Sequence, residues 1–185
     1  MKTILRISTL CLIIASGIVL FSCGNKVDQE TLKRVDKISA SLDSAGNKLL
    51  EVNDDTLKEK FTTFRATSEK LEKNFYAIKT DENFADICQY RQCKKPLRNM
   101  VTNYKLFRKE VDTSAAQLVR LRHDIKKGLL SKEETGQFIA LEEQNAQVLL
   151  KKITKSVDDA VQYEKCFDTL QPRILNYIEK ATPKK

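Results

Sequence analysis

Apolar residues recur along most of this chain at alternating steps of three and four, the spacing that turns one face of an α-helix toward a core. The first run, from Asp28 to Val52, carries Val35, Ile38, Leu42, Ala45, Leu49 and Val52. Asn53-Asp54-Asp55 interrupts it. Thr56 and Glu59 then stand at capping-box spacing, with Asp55 a rival cap. The second run presents Leu57, Phe61, Phe64, Ser68, Leu71, Phe75 and Ile78. The step from Val52 to Leu57 turns this stripe out of phase with the first, which predicts a turn or sharp kink at residues 53–55.

Residues 79–96 are less regular. Thr80-Asp81 is placed to cap a short helix holding Phe84, Ile87 and Cys88, and Pro96 either opens the next helix or kinks a longer one. The third run shows Met100, Tyr104, Phe107, Val111, Leu118, Leu121 and Ile125. It ends at Lys126-Lys127-Gly128, cations on the last turn followed by a left-handed glycine. Ser131 and Glu134 match a second capping box. Beyond them Ile139, Ala146, Ile153, Ala160, Phe167 and Ile174 repeat every seven residues, with Leu149, Tyr163, Leu170 and Tyr177 beside them. A sustained sevenfold repeat predicts a left-handed, coiled-coil-like seam. The helix carrying it is about 70 Å long, and Pro172 is a candidate kink near its end.

The pattern predicts an all-α fold: an elongated antiparallel bundle of three to four helices over residues 31–180, with a long C-terminal helical hairpin and a polar tail at 181–185. An antiparallel hairpin about residues 129–130 sets residues level when their numbers total about 259. Leu121 then faces Phe138, Leu118 faces Leu141, and Phe107 lies near Ile153, apolar matches that support the register. Cys93 and Cys166 also total 259 and lie level with one another. Helix axes lie about 8–10 Å apart, so inward-pointing cysteines at one level are within reach of a disulfide. The preferred pairing is Cys93–Cys166 with Cys88 left as a free thiol. Cys88–Cys166, Cys88–Cys93 and three free thiols are the alternatives.

Composition agrees with long helices. The 185 residues include only five Gly, three Pro and no Trp. There is no Gly/Ser linker and no repeat at a fixed period of 20–50 residues, so one core and one domain are expected.

The N-terminus is of another kind. Lys2 and Arg6 precede an almost wholly apolar stretch from Ile7 to Phe21, too short to span a bilayer and of the length of a secretory signal. It closes on Leu20-Phe21-Ser22-Cys23: an aliphatic residue, a tolerant position, a small residue, then cysteine. This resembles the lipobox of bacterial lipoproteins. The resemblance covers residues 1–23. It implies that 1–22 is a lipoprotein signal peptide, that cleavage falls between Ser22 and Cys23, and that Cys23 carries the lipid. Residues 23–30 then form a lipid-anchored tether. Gly24 after the cysteine favours the outer membrane by the enterobacterial sorting rule, and leaves the periplasmic or surface face open. Two or three acyl chains anchor stably where one does not.

Loss of residues 1–22 removes two of the 33 Lys and Arg and no acid, so the mature chain keeps 31 cations against 25 Asp and Glu. The excess is concentrated. Arg91, Lys94, Lys95, Arg98, Lys105, Arg108, Lys109, Arg120, Arg122, Lys126 and Lys127 are opposed in that interval only by Glu110, Asp112 and Asp124. Such a surface attracts anionic head groups or phosphates, unless its charges pair with acids on neighbouring helices. Charge alone also admits nucleic acid. Export and the lack of an aromatic-basic motif argue against it, and no nucleic acid is expected.

No G-x-S-x-G, P-loop, HExxH or GxGxxG is present. His123, the one histidine, has no nucleophile placed beside it by sequence. The cysteines and His123 offer soft metal ligands, but the hairpin sets His123 about 45 Å from Cys93. The expectation is no enzyme, no metal and no cofactor. It is a lipid-anchored cell-envelope bundle that binds a protein or envelope polymer, or, as an alternative, carries a lipid or small ligand in an apolar cavity lined by Phe61, Phe64, Phe107 and Tyr163. Oligomeric state is left open.

Overall fold

A computed structural model describes residues 29–182. The signal peptide, Ser22, Cys23 and most of the tether lie outside the described residues. Six helices follow in order: α1 (Gln29–Leu49), α2 (Asp54–Lys73), α3 (Phe75–Ile78), α4 (Phe84–Gln92), α5 (Lys94–Lys127) and α6 (Lys132–Ala181). The fold is all-α, and among the described residues no strand occurs.

Apart from the short α3, which lies between two of them, the helices form three arms. Arg34 of α1 meets Glu143 of α6 at 2.9 Å, Lys48 meets Asp158 at 2.8 Å, and Lys60 of α2 meets Glu164 and Asp168, each at 2.7 Å. The partner number on α6 rises along α1 and α2, so these helices make one broken arm running parallel to α6. In the second arm, α4 and α5, Asp86 lies by Arg173 and Tyr177, Tyr90 by Gln171, and Phe107 beneath the Lys152 ammonium. Here one number falls as the other rises, so this arm is antiparallel to α6. The result is an up-down-up bundle with α6, about 75 Å long, as its spine.

The break between α1 and α2 falls at Leu50–Asn53, slightly earlier than the predicted 53–55. The last turn tightens through Leu50 N–H to Asn47 O, Glu51 N–H to Lys48 O and Val52 N–H to Leu49 O, at 3.0–3.3 Å. The cap is Asn53, neither Thr56 nor Asp55. Its carboxamide oxygen accepts from the amides of Asp55 and Thr56 at 3.1 and 3.0 Å. Asp54 and Asp55 then occupy the first turn, where the helix dipole favours negative charge. Val52 and Leu57 are both buried, so the turn restores the phase that the sequence loses.

At the far end of the bundle, Thr80 and Asp81 do not cap α4 as expected. Its N-cap position is Asn83, whose buried side chain instead accepts from Thr80 N–H at 2.9 Å and donates to Ile78 O at 2.6 Å, closing the loop from α3. Pro96 sits in the first turn of α5, where a missing N–H breaks no helical bond. The predicted stop and start at the opposite end are as expected. Gly128 has φ 66°, and the amides of Gly128 and Leu129 return to Ile125 O and Asp124 O at 3.1 and 2.9 Å. Ser131 and Glu134 form a reciprocal capping box. The hydroxyl and amide of Ser131 hold the Glu134 carboxyl below its ordinary value, so this cap acts above about pH 4.5 and is lost as pH falls through the lowered value.

Ile139, Ala146, Ile153, Ala160, Phe167 and Ile174 are all buried, so the sevenfold seam is the core stripe of α6. Two of the pairings expected across the hairpin are corrected. Phe138 and Leu141, matched in the sequence with Leu121 and Leu118, are 45 % and 53 % exposed. Equal height along two helices does not make residues face each other. Ile139 takes the inward position, and its neighbours at −1 and +2 are rotated out.

One core feature is polar. Gln171, buried on α6, accepts from the Tyr90 hydroxyl and donates to the Thr67 hydroxyl at 2.8 Å, so a single carboxamide joins all three arms. Beside it the rings of Phe64, Tyr90 and Phe167 pack with centroids 4.8–6.3 Å apart, Tyr90 stacked on both phenylalanines. Gln171→Leu should leave the buried Tyr90 and Thr67 hydroxyls with only each other as partners and lower unfolding free energy by about 1–3 kcal/mol in urea titration. Adding Tyr90→Phe and Thr67→Val to it should recover much of that loss. Gly128→Ala should lose roughly 1–2 kcal/mol, because alanine resists the left-handed conformation.

Candidate functional site

The chemistry-bearing side chains of the described residues gather at two places on the second arm. The first is the solvent face of α5. A helix whose inward stripe is Met100, Phe107, Leu118 and Ile125 turns Lys94, Arg98, Lys105, Lys109, Arg120 and Lys127 outward, and all of these are exposed. The sequence left open whether the cations pair with neighbouring acids. Among the described residues only Arg122 of the eleven does so, with Asp36 of α1 at 2.5 Å. The other ion pairs that join the arms draw on Arg34, Lys48, Lys60 and Arg173 instead. The flank is therefore a basic strip about 50 Å long whose outward cations are unpaired, interrupted between Lys109 and Arg120 by the exposed Glu110 and Asp112.

The strip ends in a groove at the α4–α5 junction. One part, about 350 Å³, lies between α2 and α5, with Phe61 and Phe64 in its lining and Arg65, Lys94 and Arg98 around it. The adjoining part, about 470 Å³, shares Lys94 and Arg98 and adds Arg91, Lys95 and Tyr163 of α6. Arg91 is also held over the Phe75 ring at 4.6 Å. Glu69 and Glu72 stand on the α2 side of the first part. The Ser68 hydroxyl there is buried with no hydrogen-bond partner. Arg65 was missed in the sequence because it lies outside the basic interval; only the packing of α2 beside α5 adds it. Phe107, expected with Phe61, Phe64 and Tyr163 in one cavity, lies farther along α5 in the core beneath Lys152.

The second place adjoins the first. Cys93, fully buried between α4 and α5, carries its thiol against that of Cys166 on α6 and 3.7 Å from the Gln89 carbonyl. Both are thiols in this structure, as is Cys88. Burial, and then the neighbouring Cys166, push the Cys93 thiol well above its ordinary pKa. Cys166 is partly exposed and lines a separate groove of about 260 Å³ with Asp86, Gln89 and Arg173.

His123 lies near the opposite end of α5. It is exposed, with Nδ1 3.1 Å from the adjacent Asp124 carboxylate, and is remote from all three thiols. Among the described residues no group of three or more His, Cys, Asp or Glu is placed to hold a metal ion, and no helix is long and apolar enough to cross a membrane. No family model, no curated protein and no solved structure matches this chain.

The raised Cys93 pKa has a readable consequence. At pH 8 less of this thiol is thiolate than of an unperturbed one, and burial also blocks access. Iodoacetamide should label Cys93 of the reduced, folded chain far more slowly than the same residue in urea, with rates compared by peptide mass spectrometry. Equal rates in the two states would contradict the burial.

Proposed function

We propose that this chain is a lipid-anchored, non-enzymatic module of the bacterial cell envelope that binds an anionic protein or envelope polymer along α5. The observation that carries the reading is the strip of unpaired cations on a packed three-arm rod. Pairing would have made those charges structural. Left unpaired on one face, they produce a directional field that draws in a partner of opposite sign and weakens with salt. The anchor rests on the lipobox-like Leu20–Cys23, with Cys23 as the lipid site after cleavage at Ser22–Cys23. Outer-membrane placement is part of the same proposal.

The order of the arms gives the anchor a purpose. The N-terminal end of α1 packs beside the α5–α6 turn, through Arg34–Glu143 and Arg122–Asp36. The groove lies at the level of Phe61 to Ser68, about 50 Å away along the first arm. A tethered rod thus holds its most basic concavity away from its point of attachment. In an oxidising compartment Cys93 and Cys166 join as a disulfide beside the groove, and Cys88 stays reduced. The carrier alternative has less support, because Phe64 and Phe107 are taken up by core packing.

Three measurements test the reading. Labelled fatty acid should incorporate into the chain and fail to do so in Cys23→Ala; equal labelling would remove the anchor. Crosslinking and pull-down from detergent-solubilised membranes should recover a partner at low salt, and lose it in Lys105→Glu/Arg108→Glu/Lys109→Glu. Recovery unchanged by that variant would remove the flank from the proposal. Intact mass should rise by two hydrogens on reduction, and mapping should recover a Cys93–Cys166 peptide. A Cys88–Cys93 link would overturn the pairing.

A further inference from the structure

The groove at the α4–α5 junction has more definition than the strip it terminates. Its cations come from three separate helices: Arg65 from α2, Arg91 from α4, and Lys94, Lys95 and Arg98 from α5. Among the described residues none of the five forms an ion pair, although Glu69 and Glu72 stand nearby on α2. Five positive charges against two negative ones, around a concavity, call for an occupant with several negative charges packed closely together.

We infer that this groove is a binding site for phosphate groups, borne in pairs or clusters on a sugar or a lipid head group. Three arguments carry the choice. A phosphomonoester places nearly two charges on one tetrahedral group, whereas a carboxylate places one. Three of the five cations are arginines, whose planar forks engage phosphate oxygens two at a time, and the two lysines add compact point charges. The Tyr163 ring on the other wall then gives the part of the ligand that bears the phosphates an aromatic surface. Glu69 and Glu72 repel charge from the α2 end, which directs the phosphates toward Arg91, Lys95 and Tyr163.

The inference rests on reading the flank as anion-binding, and is independent of the anchor at Cys23. Titration calorimetry on the full mature chain in zwitterionic detergent would use inorganic pyrophosphate, glucose 1,6-bisphosphate, and citrate as a carboxylate of similar charge. Flotation would use phosphatidylcholine vesicles with and without phosphatidic acid. Binding of pyrophosphate or the sugar bisphosphate, or of phosphatidic acid vesicles alone, is the expected result. The first outcome assigns a soluble or polymer-borne phosphate, and the second a lipid head group. Arg65→Gln/Arg91→Gln and, separately, Lys94→Gln/Arg98→Gln should each weaken that binding about tenfold or more. Lys105→Gln/Lys109→Gln, the same loss of charge outside the groove, should change it much less. Equal losses in all three double variants would mean diffuse attraction and overturn the site. Citrate binding as tightly as pyrophosphate would overturn the phosphate class, and no binding by any phosphate probe would overturn both. If the flank variant of the preceding subsection loses its partner while the groove variants keep every phosphate probe, the flank reading stands and this one falls.

Discussion

Everything in this bundle is arranged along the apolar seam of α6. A seam that returns every seven residues keeps to one side of a slightly overwound helix for the whole of its length, so other helices can lie along it continuously. Ile139, Ala146, Ile153, Ala160, Phe167 and Ile174 meet that condition, and each is buried. The small alanines let neighbouring helices come close, while Phe167 fills the space beside Phe64 and Tyr90. Both other arms are broken, at Leu50–Asn53 and at Cys93, and neither break propagates, because α6 continues unbroken past both. The spine sets the register and the other arms adapt to it.

That register explains the distribution of polar groups. A sidewise slip of either arm is opposed where Gln171 holds Thr67 and Tyr90 at once, since it would part both buried hydroxyls from the carboxamide. The inter-arm ion pairs, by contrast, lie at the rim, and contribute little individually. Charge is therefore not what holds the bundle together. This leaves the outer face of α5 with cations that packing does not use, and it leaves the junction of α4 with α5 lined by arginines from three helices.

Much of this was legible along the chain. Gly128 and the pair Ser131–Glu134 marked the hairpin turn because glycine's left-handed freedom and the reciprocal cap are local chemistry. The seam of α6 was legible because its period is regular. Asn53 was passed over as a cap because Asp55 and Thr56 offered equally good side chains, and only the backbone angle decides among them. Asn83 was missed because its bonds cross the loop instead of capping α4. The level pairs Leu121–Phe138 and Leu118–Leu141 were misjudged because height along a hairpin is readable from number, whereas rotation about each axis is not. Gln171 drew no notice in the sequence, because its partners lie on other arms. The same holds for Arg65, whose place in the groove depends on packing between helices distant in sequence.

The broken first arm has a mechanical meaning. Its start lies beside the hairpin turn and its second half beside the groove, so in a chain anchored and bound as proposed a pull between the two points would act along the helix axes. Under such a load apolar faces must slide past one another together, which resists stretching far better than peeling one turn at a time. The interruption at Leu50–Asn53, where the regular helical ladder gives way to three tight backbone bonds and an asparagine cap, is then the point where the rod would give first.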